Sequence, residues 1–316
     1  MIVVTGARGF IASNLVEALN KINLEDIILV DELLNPRKSV NLQQAKFSQL
    51  LDRENFLAFL EKEATNVDFI FHLGARTDTT EQSKEIFDKL NLSYSKEIFK
   101  LCTQFKIPLI YASSAATYGD GSLGYDDKLD AQELTALNPY GQSKLDFDIW
   151  LSKQEKKPPF WCGLRFFNVY GKHEEHKDRM ASVVYHAYNQ IKETGKMQLF
   201  ASHNASYKDG EQARDFIYVE DVVKVLLFFF EKQQDSGIYN LGTGKARTFN
   251  DLVLAVFKTL NLEAKISYIP TPIDIRASYQ YFTQAEMSKL REAGYEAAFL
   301  SLEEGIADYV INYLEQ

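Results

Sequence analysis

Several things are scarce in this chain of 316 residues, and each scarcity removes a class of function. Cysteine occurs twice, at Cys102 and Cys162, both in apolar context. Two such thiols read as buried free groups in a reducing compartment, not as a disulfide framework. No Cys/His cluster has zinc-ligand spacing, so no metal site is expected. Basic residues are outnumbered: 35 Lys and Arg stand against 44 Asp and Glu, for a formal net charge of −9. Nucleic-acid binding relies on clustered Lys and Arg, so no nucleic-acid partner is expected. A small anionic ligand needs only a local positive site and stays open. No apolar run approaches the ~20 residues that span a bilayer, so no membrane partner is expected. Met1 runs straight into an apolar strand without a basic leader and cleavage site, and the expected compartment is the cytoplasm. Low-complexity segments and internal repeats are also missing.

What is present is an alternation of strand and helix. Ile2 to Thr5, Ile27 to Val30, Asp68 to His72, Pro108 to Ala112 and Phe160 to Arg165 read as buried strands. Phe10 to Leu19, Arg53 to Glu63, Thr80 to Phe105 and Tyr140 to Lys153 read as helices between them. Apolar strands alternating with helices predict an α/β fold: a Rossmann-type doubly wound parallel sheet, with a smaller α/β C-terminal substrate lobe. The expected boundaries are 1–167 for a dinucleotide-binding domain, with returning segments near 213–242, and 168–212 with 243–316 for the lobe. Lys172 to Lys177 and His203 to Gln212 read as loops.

The first strand ends in Gly6-Ala7-Arg8-Gly9-Phe10-Ile11-Ala12. A pyrophosphate needs close backbone approach and a helix N-terminus, which glycine permits and side chains block. The second strand ends at Asp31, 22 residues after Gly9, where a carboxylate suits a ribose hydroxyl. Asp31 and Glu32 would repel the 2′-phosphate of NADP, and Arg37 or Lys38 would neutralise it. On the residues alone the choice between NADP and NAD stays open.

Tyr140-Gly141-Gln142-Ser143-Lys144 places a phenol and an ammonium at i and i+4 on one helix face. A neighbouring cation favours phenolate, so Tyr140 is expected to be acidified and to exchange a proton with a sugar hydroxyl. Ser113-Ser114 closes the fourth strand, at the sheet edge where such folds bind ligands. Ser114 or Thr117 is positioned to hydrogen-bond the reacting oxygen.

The glycine turn, Ser113-Ser114 with Thr117-Tyr118-Gly119, and Tyr140 with Lys144 together resemble the extended short-chain dehydrogenases. So do Arg165 to Gly171, Arg214 to Val219 with Asp221, and Tyr239 to Gly244, which extends the resemblance over nearly the whole chain. Ala112 to Tyr118, Asn168 to Gly171, His176-Lys177 leading to Met180-Ala181-Ser182-Val183, and Tyr279 to Gln284 resemble, more narrowly, the branch that inverts carbon 6 of ADP-linked heptoses.

That resemblance implies an epimerase, with NADP (NAD possible) as cofactor and a small nucleotide-sugar substrate. It further implies a homo-oligomer, pentameric in the best-matched branch, and a place in making the lipopolysaccharide inner-core precursor. It assigns Ser114, Tyr140 and Lys144 to hydride transfer and makes Lys177 a second acid/base. Its cofactor contacts are Gly6, Gly9, Phe10, Ile11, Asp31, Glu32, Lys38, Arg53, Leu73, Gly74, Ala75, Arg76, Thr77, Asn91 and Val169, together with Tyr140, Lys144 and Lys177. Its substrate contacts are Asn168, Arg179, His186, Phe200, Ala201, Ser202, His203, Arg214 and Tyr279. The chain departs from the family at Ala12, Glu32 and Leu73. It departs again at Tyr207 to Ala213, which is longer than the usual approach to Arg214. A UDP-hexose 4-epimerase, a nucleotide-sugar dehydratase and a non-catalytic NADP-binding regulator share the fold. The acidic residues that dehydratases carry near Ala116-Thr117 are missing here, and the Tyr and Lys that regulators lose are both present.

Overall fold

The structure, a computed structural model, describes residues 1–276 and 279–316, without the side chain of Asp274. In chain order the strands are β1 (Ile2–Thr5), β2 (Ile27–Asp31), β3 (Gln49–Asp52), β4 (Phe69–His72), β5 (Leu109–Ser114), β6 (Trp161–Phe166), β7 (Asn168–Tyr170), β8 (Met197–Phe200), β9 (Ala213–Tyr218), β10 (Gly237–Leu241), β11 (Ala246–Thr248) and β12 (Ile266–Ile269). The helices are α1 (Phe10–Lys21), α2 (Arg53–Glu63), α3 (Lys84–Phe87), α4 (Tyr94–Phe105), α5 (Pro139–Ser152), α6 (Val183–Thr194), α7 (Val219–Lys232), α8 (Phe249–Thr259), α9 (Ile273–Arg276), α10 (Ser288–Glu292) and α11 (Leu302–Tyr309).

The chain divides into two compact units. The first comprises 1–119, 127–166 and 223–239, and the second 120–126, 167–222 and 240–316. The expected boundaries differ in detail. Residues 213–222 belong with the second unit, where β9 pairs in parallel with β7 and antiparallel with β11. Residues 120–126 join it as well, where Tyr125 donates its hydroxyl to the carbonyl of Phe282.

The first unit is built on a seven-stranded sheet in the order β10-β6-β5-β4-β1-β2-β3. The pairings β2–β3, β1–β2, β1–β4, β4–β5 and β5–β6 are all parallel. Both faces are covered, which is why the strands read as continuous apolar runs and not as alternations. Strand β4 shows this residue by residue. Ile70 joins a cluster with Phe56 and Leu60 of α2, Ile98 and Phe99 of α4, and Phe147 and Leu151 of α5. Its neighbours Phe69 and Phe71 meet Phe230 of α7 at ring distances of 4.8 and 5.4 Å. The strand order reverses direction at β1, between β2 and β4. Doubly wound sheets bind ligands at such a switch point, beyond the carboxyl ends of the strands.

Two features depart from the sequence reading. Strand β3 was not anticipated, because its exposed and half-buried residues carry no apolar pattern. The helix expected over Thr80 to Phe105 is interrupted: α3 passes through a π-helical turn at Asp88–Ser93 before α4 begins. The buried amide of Asn91 sits in that turn and bonds to groups outside it. π-Turns of this kind aim a side chain away from the regular ladder and recur at functional sites.

The second unit holds the sheet β11-β9-β7, the parallel pair β12-β8, and helices α6, α8 and α11. Val184 and Ile191 of α6, Leu252 and Val256 of α8, and Leu302 and Ile306 of α11 form its buried side chains. Capping boxes at Thr248/Asp251 and Ser301/Glu304 start α8 and α11.

The two-sided burial of β4 makes a direct stability prediction. Phe71 is fully buried, and its truncation in Phe71→Ala should cost about 3–5 kcal/mol. Denaturant unfolding followed by circular dichroism measures this, and a loss below about 1 kcal/mol would contradict the packing described.

Candidate active site

The site begins with two backbones in contact. Gly6 ends β1 with φ +67°, and a Cβ built there would lie 2.5 Å from the Cα of Gly74. A Cβ on Gly74 would in turn lie 2.9 Å from the nitrogen of Gly6. Gly74 also donates its N–H to Thr5 Oγ1 at 3.1 Å. That hydroxyl is bonded to Nδ1 of His72, and Nε2 of His72 to Ser95. Burial, reinforced by the Lys144 charge, pushes His72 down to about 3, so its imidazole is neutral and serves as a fixed link in this chain. Gly9 caps α1 in an extended conformation and has no side chain to occupy the helix end. Phe10 and Ile11 open the helix behind it. A helix N-terminus reached through glycine fits a pyrophosphate.

Asp31 supplies the second element. Its carboxylate accepts from the backbone N–H of Arg8 at 2.9 Å and of Glu32 at 2.8 Å, and Lys38 Nζ lies 3.3 Å away. The sequence reading missed Arg8. Its buried guanidinium donates to the carbonyls of Glu32 and Asn35 and to Ser39 Oγ, and so shapes the loop after β2. The Glu32 carboxylate accepts from the backbone N–H of Leu34. Gly6, Gly9, Asp31 and Lys38 together fit a nicotinamide dinucleotide: glycine turn, helix end, and an acid ending β2 with a cation beside it.

Asn91 ties the next segment down. Its amide accepts the N–H of Arg76 at 2.8 Å and donates to the Arg76 carbonyl and to Ser143 Oγ, each at 3.0 Å. Leu73 to Thr77 is thereby clamped to α5. Ala75 is half-buried, while Arg76 and Thr77 are exposed. Arg53 lies apart from this clamp. It starts α2, and its carbonyl accepts from Tyr94.

Helix α5 carries the reactive pair. Asn138 caps it through Gly141 N–H, with Pro139 in the first turn. The Tyr140 hydroxyl is hydrogen-bonded with Ser114. The alternative Thr117 is fully buried and donates instead to the Ser114 carbonyl at 2.8 Å. Lys144 Nζ donates to the carbonyl of Ala112 at 2.8 Å. Tyr140 differs from the expectation. Burial pushes its hydroxyl up, and the Ser114 bond pulls it down only in part. Desolvation opposes the phenolate here.

Beneath the pair lies a buried ion pair that spacing alone could not reveal. Asp148, on α5 one turn beyond Lys144, accepts from Arg165 Nη2 at 3.1 Å and from the Tyr111 and Ser113 hydroxyls at 3.0 Å. The Arg165 guanidinium stacks 4.7 Å over Tyr118. The ion pair joins β5, β6 and α5, and its negative member pulls Lys144 upward.

In the second unit, Glu174 is fully buried and organises the Lys177 loop. Its carboxylate accepts from the N–H of Gly171 at 3.2 Å and from the N–H and hydroxyl of Ser182, the α6 cap. Lys177 lies three residues on, in a turn strained at Asp178, whose φ is +48°. Burial pushes the Lys177 ammonium down, and the Glu174 charge works against that. Arg179 is exposed in the same turn, and His186 is exposed on α6. Asn168 and Val169 lie on β7, beside β9. On β9, Arg214 is buried. Its guanidinium donates to the carbonyls of Ala213 and Gln280 and stacks 5.5 Å over Tyr279 and 5.6 Å over Phe249. Among the described residues no carboxylate pairs with it; Asp215 is turned to the N–H groups of Thr243, Gly244 and Ala285. Phe200 ends β8 and Ala201 follows it, the Ser202 N–H bonds Asp209, and His203 packs on Tyr279 at 5.8 Å.

A glycine turn at a helix N-terminus, with Ser114 and Tyr140 hydrogen-bonded at the carboxyl edge of a doubly wound sheet, is the arrangement the structure offers for a ligand. Residues 2–242 match the NAD dependent epimerase/dehydratase family, and the chain belongs to that family. It is 45% identical to the ADP-L-glycero-D-manno-heptose-6-epimerase of Fusobacterium nucleatum, over 99% of this chain and 98% of the relative. It is 44% identical to the protein of the same name from Nitratidesulfovibrio vulgaris, over 99% and 98%. The crystal structure of the Helicobacter pylori ADP-L-glycero-D-manno-heptose-6-epimerase superposes with a TM-score of 0.79 at 29% identity, covering 98% of this chain and 95% of that one.

Lys144 gives the site a signed pH dependence. Burial lowers it from 10.5 to about 8 despite Asp148. The folded state therefore releases this proton at a lower pH than the unfolded chain. Between about pH 8 and 10.5 the unfolded state holds more protons, so the contribution of Lys144 to stability rises with pH across that window. The unfolding free energy of the wild type should rise relative to Lys144→Met between pH 7.5 and 10, in parallel melts of the two proteins. A constant difference would contradict the assigned burial.

Proposed function

We propose that this chain is a cytoplasmic isomerase that inverts C6 of ADP-D-glycero-D-manno-heptose to give ADP-L-glycero-D-manno-heptose, by transient oxidation to a ketone and re-reduction. One observation carries this: the Tyr140 hydroxyl is hydrogen-bonded with Ser114, one turn before the buried Lys144 on the same helix, in a chain similar from end to end to proteins named as heptose 6-epimerases. Loss of hydride and proton from an alcohol yields a ketone, and return of hydride to the other face yields the inverted alcohol. The nicotinamide cofactor, when bound, supplies the hydride acceptor and donor. Tyr140 exchanges the hydroxyl proton, Ser114 orients the oxygen, and Lys144 holds a positive charge behind them. Lys177 serves the opposite face, where an ammonium lowered by burial can both give and take a proton. Arg214 supplies a buried positive charge with no carboxylate partner among the described residues, which suits the diphosphate.

Gly6, Gly9, Phe10, Ile11, Asp31 and Lys38 hold the dinucleotide, and Leu73 to Thr77 with Asn91 line its other side. NADP is the assigned cofactor, with Lys38 beside Asp31 answering the 2′-phosphate, and NAD is the alternative. The homo-oligomeric, pentameric state follows from the resemblance.

Incubation of the purified protein with ADP-D-glycero-β-D-manno-heptose, read by NMR, should give the L-glycero epimer. Tyr140→Phe and Lys177→Met should each lower the rate by about 10²-fold or more while leaving bound nicotinamide in place. No epimer from the wild type would overturn the assigned reaction. Near-wild-type turnover by Lys177→Met would leave Tyr140 alone as the acid/base.

A further inference from the structure

The segment Tyr207 to Ala213 is held by its own set of bonds. Asp209 accepts from Ser202 N–H at 2.7 Å, and its carbonyl accepts from Asn250 at 3.1 Å. Gly210, at φ +72°, has the Asn250 amide where a Cβ would stand, and its carbonyl accepts the Asn250 N–H at 3.0 Å. These anchors leave Tyr207 with its ring against Tyr281, centroids 4.8 Å apart.

Tyr281 continues the row. It meets Tyr279 at 5.4 Å and His203 at 5.1 Å, and its hydroxyl accepts the His203 N–H at 2.9 Å. Tyr279 lies under the Arg214 guanidinium. An unbroken row of rings thus runs from a buried cation out to Tyr207. The ionisable groups that face Arg214 are the phenols of Tyr125, Tyr207 and Tyr279. None of Tyr207, Tyr279 and Tyr281 is fully buried, and His203 is exposed. Half-buried rings on irregular segments contribute little to a core, but they present flat faces at the solvent boundary. A buried guanidinium without a carboxylate favours an anion.

We propose that Tyr207 and Tyr281 form a stacking wall for the purine base of a nucleoside diphosphate whose diphosphate is held by Arg214. This rests on the function proposed above and deepens it. It gives the Tyr207 to Ala213 segment the task of holding the nucleotide end of the substrate. A nucleoside diphosphate carries a flat base one ribose away from its charge, and the row of rings beside Arg214 presents the same two features in the same order. Stacking tolerates any base in kind but favours the larger purine surface.

Isothermal titration calorimetry of the cofactor-loaded protein with ADP and with inorganic pyrophosphate tests this. Tyr207→Ala and Tyr281→Ala should each weaken ADP binding by at least about fivefold and leave pyrophosphate binding within about twofold. Tyr207→Phe, which keeps the ring, should bind ADP like the wild type. Unchanged pyrophosphate binding also reports that each variant is folded around Arg214. Unaltered ADP binding in both alanine variants, equal losses for ADP and pyrophosphate, or a Tyr207→Phe variant as weak as Tyr207→Ala would each overturn the wall and leave the epimerase assignment standing. A wild type that binds neither ADP nor pyrophosphate would overturn both.

Discussion

The contact between Gly6 and Gly74 is the constraint on which the first unit's site depends. Strands β1 and β4 are neighbours in the sheet, and the chain leaving each passes so close to the other that neither position has room for a methyl group. This closeness sets where α1 begins and therefore where its N-terminal N–H groups lie. It also fixes the start of the Leu73 to Thr77 segment, which Asn91 then clamps to α5. Helix α5 and the glycine turn are thus linked through one run of backbone, with the neutral His72 bridging Thr5 and Ser95 beneath it.

Charge is handled in two contrasting ways. Asp148 and Arg165 are buried as a pair, and Tyr111 and Ser113 donate further hydrogen bonds to Asp148. Breaking such a pair leaves a charge stranded and costs several kcal/mol, so the pair acts as a fixed support under β5 and α5. Lys144 and Arg214 are buried with carbonyls as partners instead. Glu174 stands between these cases. Bonds from Gly171 and Ser182 satisfy its carboxylate while its field reaches Lys177.

Much of this was legible in the sequence because it depends on local spacing. The glycine turn, the acid ending β2, and the i, i+4 pair Tyr140 and Lys144 each follow from positions a few residues apart. The parallel sheet followed from apolar runs buried on both faces. What could not be read depends on contacts distant in sequence. Asp148 and Arg165 look like ordinary charged residues until β5, β6 and α5 are assembled. Arg8 looked like a tolerated side chain in a glycine turn, yet it holds the loop that follows Asp31. Strand β3 is half exposed and shows no period. The π-turn in the long helical segment answers to Asn91's partners across the unit, which helix propensity does not register. The elevated Tyr140 has the same origin: the i, i+4 spacing announced a cation nearby, and only packing reveals how fully the phenol is buried.

The contact at the carboxyl ends of β1 and β4 is also the point most open to direct test. Gly74→Ala places a methyl group 2.9 Å from the backbone nitrogen of Gly6. Release of nucleotide on denaturing purified protein, quantified by chromatography, measures the consequence. The wild type should yield close to one nicotinamide dinucleotide per chain. Gly74→Ala, still folded by circular dichroism, should yield about a tenth of that or less, with epimerase activity reduced in proportion. Full cofactor content and full activity in Gly74→Ala would contradict the dependence of the site on this contact.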